Sequence, residues 1–171
     1  MTLTTHAIVG GAAGAAVAAA TSNPWGLLGG FIAGFASHLI IDAIPHWNEG
    51  VVMLRSLRNP LDKLKRDLEM GRDFAYDVVY LGGESLLGLL VAWGWFSFGF
   101  FHFSPWAILL GTVGGLLPDA LHLVYFKTRA WGVTQFEEFH SGLQHESTNI
   151  WYLGTEAWTI LIALALLKLF A

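Results

Sequence analysis

Hydrophobic and polar positions segregate along the chain into long apolar runs separated by short polar stretches. Five runs stand out: 6–20, 25–44, 76–101, 105–125 and 151–170. Each approaches the roughly 20 residues needed to cross a bilayer core. A backbone in lipid must satisfy its own hydrogen bonds, so each run is expected to be a helix. The pattern predicts an all-α integral membrane bundle of about five transmembrane helices, forming a single transmembrane domain over 1–171. The polar stretch 47–75 carries Leu57, Leu61, Leu64 and Leu68 at helical spacing among Arg, Lys and Asp, with Pro60 near its start. It is expected to be an amphipathic insertion lying on the cytoplasmic membrane surface. The stretch 126–150 is expected to be a cytoplasmic loop that bears histidines.

Composition narrows the class. Of 171 residues, 54% are hydrophobic and 13% charged, which excludes a disordered chain, a coiled coil and an ordinary polar-surfaced enzyme. A net charge of −4 leaves no basic face for nucleic acid. Cysteine is absent, so disulfides, thiolate nucleophiles and Cys-type zinc sites are excluded. The segment Met1-Thr2-Leu3-Thr4-Thr5 has no basic residue, which argues against a cleaved signal peptide. Arg55, Arg58, Lys63, Lys65, Arg66 and Arg72 fall between the second and third runs, and Lys127 and Arg129 between the fourth and fifth. The positive-inside rule then places both connections, and the N-terminus, on the cytoplasmic side of the membrane. Trp25, Trp93, Trp95, Trp106 and Trp151 fit an aromatic belt.

An internal repeat is visible. Asn23-Pro24-Trp25 opens the second run and Ser104-Pro105-Trp106 the fourth, and an offset of 81 residues aligns Gly30 with Gly111, Gly34 with Gly115 and His38 with Asp119. Two hairpins of the same orientation would give a parallel pseudo-repeat around a central site. The pairs Gly10/Gly14, Gly30/Gly34 and Gly111/Gly115 allow close backbone approach in lipid.

Ionisable residues inside hydrocarbon cost roughly 2.5–3.5 kcal/mol each on insertion scales, so their placement carries information. His6 starts the first run; His38 and Asp42 lie in the second and His46 ends it; Asp77 and Glu84 lie in the third; Asp119 and His122 lie in the fourth; Glu156 lies early in the fifth. His38 and Asp119 each stand 14 residues past a proline, about 21 Å along a helix. Every histidine except His102, and nearly every acid, therefore falls at one end of the bundle. Scatter for packing would populate both ends; one polar cavity open to the cytoplasm satisfies them all. His38 and Asp42 share a helix face, as do Asp119 and His122. Imidazoles and carboxylates from separate segments form a ligand set for Zn²⁺, or for Mn²⁺ or Fe²⁺, with donors enough for one or two ions.

Taken in order, Thr5-His6, Ser37-His38-x-x-x-Asp42-x-x-Pro45-His46, Leu117-Pro118-Asp119-x-x-His122 and His140-x-x-x-x-His145 resemble the motifs of the membrane-bound metal-dependent hydrolase family, also labelled YdjM-like. That family is distantly similar to zinc-dependent phospholipase C. The resemblance spans 5–146 and implies an inner-membrane metallohydrolase, phospholipase-like in favouring phosphoesters. It implies His6, His38, Asp42, His46, Asp119, His122, His140 and His145 as metal ligands. Leu121 stands where the family has a second Asp, and His140-Ser141-Gly142-Leu143-Gln144-His145-Glu146 lacks the family's Arg, Thr and final Ser. Glu84 or Glu146 is a candidate replacement for the missing carboxylate.

The sequence reading favours a hydrolase that uses metal-activated water on a phosphoester, of a lipid for preference, at the cytoplasmic face, with Glu84 or Asp77 as general acid/base. The partners it implies are membrane lipids. The alternative is a metal-ion or proton transporter or sensor built on the same His/Asp cluster. A scaffold whose polar residues pair only with one another is the third reading.

Overall fold

The computed structural model describes residues 1–21, 23, 25–47, 57–58, 67–68, 71–99, 101–144, 146–147 and 154–169. Six helices are present among them: α1 (Leu3–Ala20), α2 (Trp25–Asp42), α3 (Arg72–Phe98), α4 (Pro105–Thr128), α5 (Trp131–Leu143) and α6 (Gly154–Leu167). Their boundaries follow local chemistry. The Thr2 hydroxyl caps α1 by accepting from the Thr5 N–H. Asn23 Oδ1 accepts from the Trp25 N–H where α2 begins, at 2.9 Å. Pro105 occupies the first turn of α4, where its missing N–H costs nothing. Arg129 ends α4 in the left-handed conformation, φ 51°, with its guanidinium 4.2 Å from the centre of the Tyr125 ring.

The helices α1, α2 and α4 form the central trio, and α3 and α6 pack mainly on α1. Glycine makes the trio possible. A Cβ on Gly14 would come within 2.6 Å of the Gly111 Cα, and one on Gly10 within 2.7 Å of the Gly111 carbonyl. A Cβ on Gly34 would collide with the same carbonyl. Both Gly10/Gly14 and Gly30/Gly34 therefore act as contact surfaces, as their spacing predicts. At one end of the bundle Ile8, Ala12, Ala15, Ala92, Phe96, Ile108 and Leu167 form a buried apolar cluster.

Polarity is otherwise inverted. Val79 and Phe98 are 74% exposed and Trp25 71%, while His38 and His140 are wholly buried. Four helices, α1 to α4, are long and apolar enough to cross a membrane. The fifth run differs from expectation: α6 has 14 residues, about 21 Å, short of the roughly 30 Å hydrocarbon core.

The connecting segments differ more. Leu57–Arg58 pairs antiparallel with Asp67–Leu68, so Leu57 and Leu68 stand in extended backbone rather than on one amphipathic helix. Leu61 and Leu64 lie outside the described residues. Helix α3 starts at Arg72, inside the stretch read as insertion. The stretch 126–150, read as a loop, contains the last turn of α4 and all of α5. Beyond α5, Glu146–Ser147 pairs in parallel with His46–Trp47 and ties that segment to the end of α2.

Candidate metal centre

The polar groups converge because helix ends do. Helix α1 begins where α2 ends, so His6 in the first turn of α1 meets His38 and Asp42 in the last turns of α2. The His6 and His38 rings stack with centres 3.9 Å apart. Helix α5 returns from the end of α4 and delivers His140 to the same point.

Asp42 is the hub. Its Oδ1 lies 3.1 Å from His6 Nε2. Its Oδ2 lies 3.2 Å from His38 Nε2 and 3.1 Å from His140 Nε2. His38 Nε2 and His140 Nε2 are 3.0 Å apart, and Asp119 Oδ1 is 3.9 Å from His38 Nε2. Gln144, one turn beyond His140, donates its amide to Asp42 Oδ2 at 3.3 Å. His6 and Asp42 are 1% exposed.

Two details decide what this arrangement can do. First, His38 Nδ1 is 2.7 Å from the Gly115 carbonyl. A carbonyl only accepts, so Nδ1 carries the proton and a neutral His38 presents a bare lone pair at Nε2. That lone pair faces a carboxylate oxygen, which is also an acceptor. Second, Asp42 Oδ1 makes no hydrogen bond of good geometry among the described residues, though His6 Nε2 lies 3.1 Å and the Met1 ammonium 3.7 Å away. Both features are those of co-ligands aimed at a common third point. Two donors about 2.0–2.1 Å from an ion at the tetrahedral angle stand about 3.3 Å apart, close to the separations seen here. The residues therefore fit a divalent cation.

Gly115 is suited to its part. A Cβ there would come within 2.6 Å of the His6 carbonyl, so the absence of a side chain lets α4 approach the first turn of α1 at the level of the site.

Three overlapping groups of donors lie within 4.8 Å of one another: His6, His38 and Asp119; His38, Asp42 and His140; and His122, Glu137 and His140. In the third, His122 Nδ1 donates to Glu137 Oε2 at 2.7 Å and the Ser141 hydroxyl donates to Oε1 at 2.6 Å. Burial pushes the Glu137 carboxyl up, but the hydrogen bond and charge of His122, with help from Ser141, outweigh it and hold Glu137 below the ordinary glutamate value.

Of the eight residues expected as ligands, His6, His38, Asp42, Asp119, His122 and His140 belong to these groups. His46 is buried at the end of α2 with its Nδ1 2.8 Å from the Ile44 carbonyl, and it belongs to none of the groups. His145 lies outside the described residues. The two expected acid/base residues are on α3 and in no donor group. Asp77 is buried, and Glu84 is half-buried with the Tyr80 hydroxyl 3.3 Å from its Oε1. Of Glu146 only the backbone pairing with His46 is described.

The residues not anticipated are Glu137, Ser141 and Gln144 on or just past α5, and the role of Glu156. Glu137 and Gln144 stand three before and four after His140, the spacings that share a helix face; that regularity was the available signal. Glu156 on α6 accepts from the Thr2 N–H at 3.1 Å, the Thr2 hydroxyl at 2.9 Å and the Thr5 hydroxyl at 3.0 Å. It clamps the first turn of α1, on which His6 stands. Compared with family models, characterised proteins and solved structures, the chain matches none.

Proposed function

We propose that the chain is a membrane-embedded, metal-dependent hydrolase of a phosphoester, of a lipid for preference, with its N-terminus and metal centre on the cytoplasmic side of an inner membrane. The observation that carries the reading is the buried convergence of His38 Nε2 and His140 Nε2 on Asp42 Oδ2, with His38 Nδ1 committed to the Gly115 carbonyl. A divalent cation, zinc for preference, would supply Lewis acidity to water and to a phosphoryl oxygen.

The chain's own residues have separable tasks. Asp42 supplies the negative charge, His6, His38 and His140 the neutral donors, and the Gly115 carbonyl fixes the His38 ring. Gln144 holds Asp42 Oδ2. Glu84 and Asp77 on α3 are the proton-handling candidates. The basic residues of 55–72 attract anionic headgroups. The motif resemblance to the membrane-bound metal-dependent hydrolase family supports the same chemistry.

Detergent-purified protein loaded with Zn²⁺ is expected to hydrolyse a generic phosphodiester or a lipid phosphate, and His38→Ala to abolish the activity. Metal-replete protein inert on a broad phosphoester panel would overturn the reading. A second reading, transport or sensing of a metal ion, draws on the near-complete burial of His38, Asp42 and His140, which suits an occluded transit site. Uptake of Zn²⁺ into proteoliposomes would favour it.

A further inference from the structure

We propose that α5 is an interfacial helix whose outward face, from Trp131 to Phe139, rests in the headgroup layer of the membrane. The inference rests on the membrane-embedded part of the reading above and is independent of its metal.

Contacts along α5 fix its direction. Val133, near its start, packs on Tyr125 and Phe126 toward the end of α4. One turn on, Glu137 meets His122 at 2.7 Å. Nearly a turn further, His140 Nε2 is 3.0 Å from His38 Nε2, and the His38 ring is anchored on the Gly115 carbonyl. The ring of Phe136 lies 5.8 Å from that of Phe35, which precedes His38 in α2. The partners on α4 step backwards as α5 advances, so α5 runs back alongside the spans rather than away from them. His122 stands 17 residues past Pro105, about 26 Å along α4, against a hydrocarbon core of roughly 30 Å. With α4 crossing the membrane, Glu137 and the residues after it sit near the boundary between hydrocarbon and headgroups.

The two faces of α5 divide accordingly. Glu137 and His140 are buried toward α4 and α2. Trp131 is 78% exposed and Phe139 55%, and Gln135, Glu138 and Gly142 are exposed on the same side of the helix. Large rings beside an amide and a carboxylate suit neither bulk water nor hydrocarbon. They suit the headgroup layer, where tryptophan concentrates because its ring is apolar and its N–H polar. Only Arg129 and Ala130 separate α4 from α5, so the outward face is continuous with the lipid-facing surface of a span. Lys127 and Arg129, exposed at that junction, bring positive charge within reach of lipid phosphates. The partner that covers Trp131 and Phe139 is therefore the lipid of the same bilayer, and the helix that delivers His140 is bedded in the membrane surface.

The absence of cysteine makes the test clean. Single variants Trp131→Cys, Phe139→Cys and Leu87→Cys, the last exposed on α3 as a lipid-facing reference, are labelled with bimane and placed in phosphatidylcholine nanodiscs, both faces of which are open to solvent. Labels at Trp131 and Phe139 are expected to be quenched by a lipid carrying a nitroxide next to its headgroup and to be shielded from aqueous iodide. The label at Leu87 is expected to be quenched by a nitroxide deep in the acyl chain. Iodide quenching without lipid quenching at Trp131 and Phe139 would overturn the proposal, because the face would then lie in water. Shielding from both quenchers would overturn it too, because protein would then cover the face. In either case a lipid-quenched Leu87 leaves the membrane-embedded reading standing, whereas an iodide-quenched Leu87 removes both. If either α5 variant fails to give a monodisperse species, a label at Gln135→Cys, between the two, replaces it.

Discussion

At the scale of single residues, the centre is a problem of acceptors facing acceptors. His38 Nε2, His140 Nε2 and Asp42 Oδ2 crowd within 3.0–3.2 Å of one another, and with both rings neutral and Asp42 ionised only His140 Nε2 can bring a proton to the three. A cation removes the conflict. His38→Ala is expected to lose the ion outright in elemental analysis. Gln144→Ala removes a group that holds a ligand rather than the ion and is expected to weaken metal affinity by about 10–100-fold in a competition titration. Glu137 provides a pH dependence. Its folded value is depressed below the ordinary glutamate value, so its contribution to stability is fully present above about pH 4.3 and is lost as pH falls through the lower folded value. Acidification below about pH 4 is therefore expected to loosen α5 in the apoprotein, read as faster amide exchange over 131–143. The candidate ligands on the spans were legible from the sequence, because an ionisable residue in an apolar run stands out against its neighbours. Glu137 and Gln144 were not, because they lie in a polar stretch where acids and amides are ordinary and only the position of His140 gives them meaning.

At the scale of elements, the long helices and their glycine contacts follow from the apolar runs and the four-residue spacing of small residues. A Cβ on Gly111 would collide with the Gly10 carbonyl and come within 2.7 Å of the Gly14 Cα, so any side chain there separates α4 from α1. Gly111→Val is expected to abolish the folded bundle in detergent, seen as loss of a monodisperse species, whereas Gly94→Ala, where an added Cβ meets nothing within 4 Å, is expected to be silent. Helix α5 escaped the sequence reading for a physical reason. It buries Glu137 and His140 and leaves Trp131 and Phe139 exposed, the reverse of the pattern by which a short helix is ordinarily found. The leucine spacing over 57–68 misled for a related reason. Residues 57 and 68 fall on one helical face, yet they are also partners across an antiparallel pair, and spacing alone does not separate the two arrangements.

At the scale of the whole molecule, the segregation of charge to one end of an otherwise apolar bundle is the feature that joins fold to function. Helix α6 has a part in it that its short length conceals. Through Glu156 it holds Thr2 and Thr5, and so the turn that carries His6, against the rest of the bundle. Glu156→Ala is expected to leave the bundle folded and to lower metal affinity through His6, separable by comparing thermal unfolding of the apo and metal-loaded forms.

The central claim is that imidazoles from α1, α2 and α5 and the Asp42 carboxylate together grip a divalent cation. X-ray absorption at the zinc edge of Zn²⁺-loaded protein tests it directly. The account predicts a first shell of nitrogen and oxygen near 2.0–2.1 Å, with the outer-shell scattering of at least two imidazole rings that disappears in His38→Ala. A protein that retains no zinc after desalting, its His38 protonated and simply ion-paired to Asp42, would contradict it.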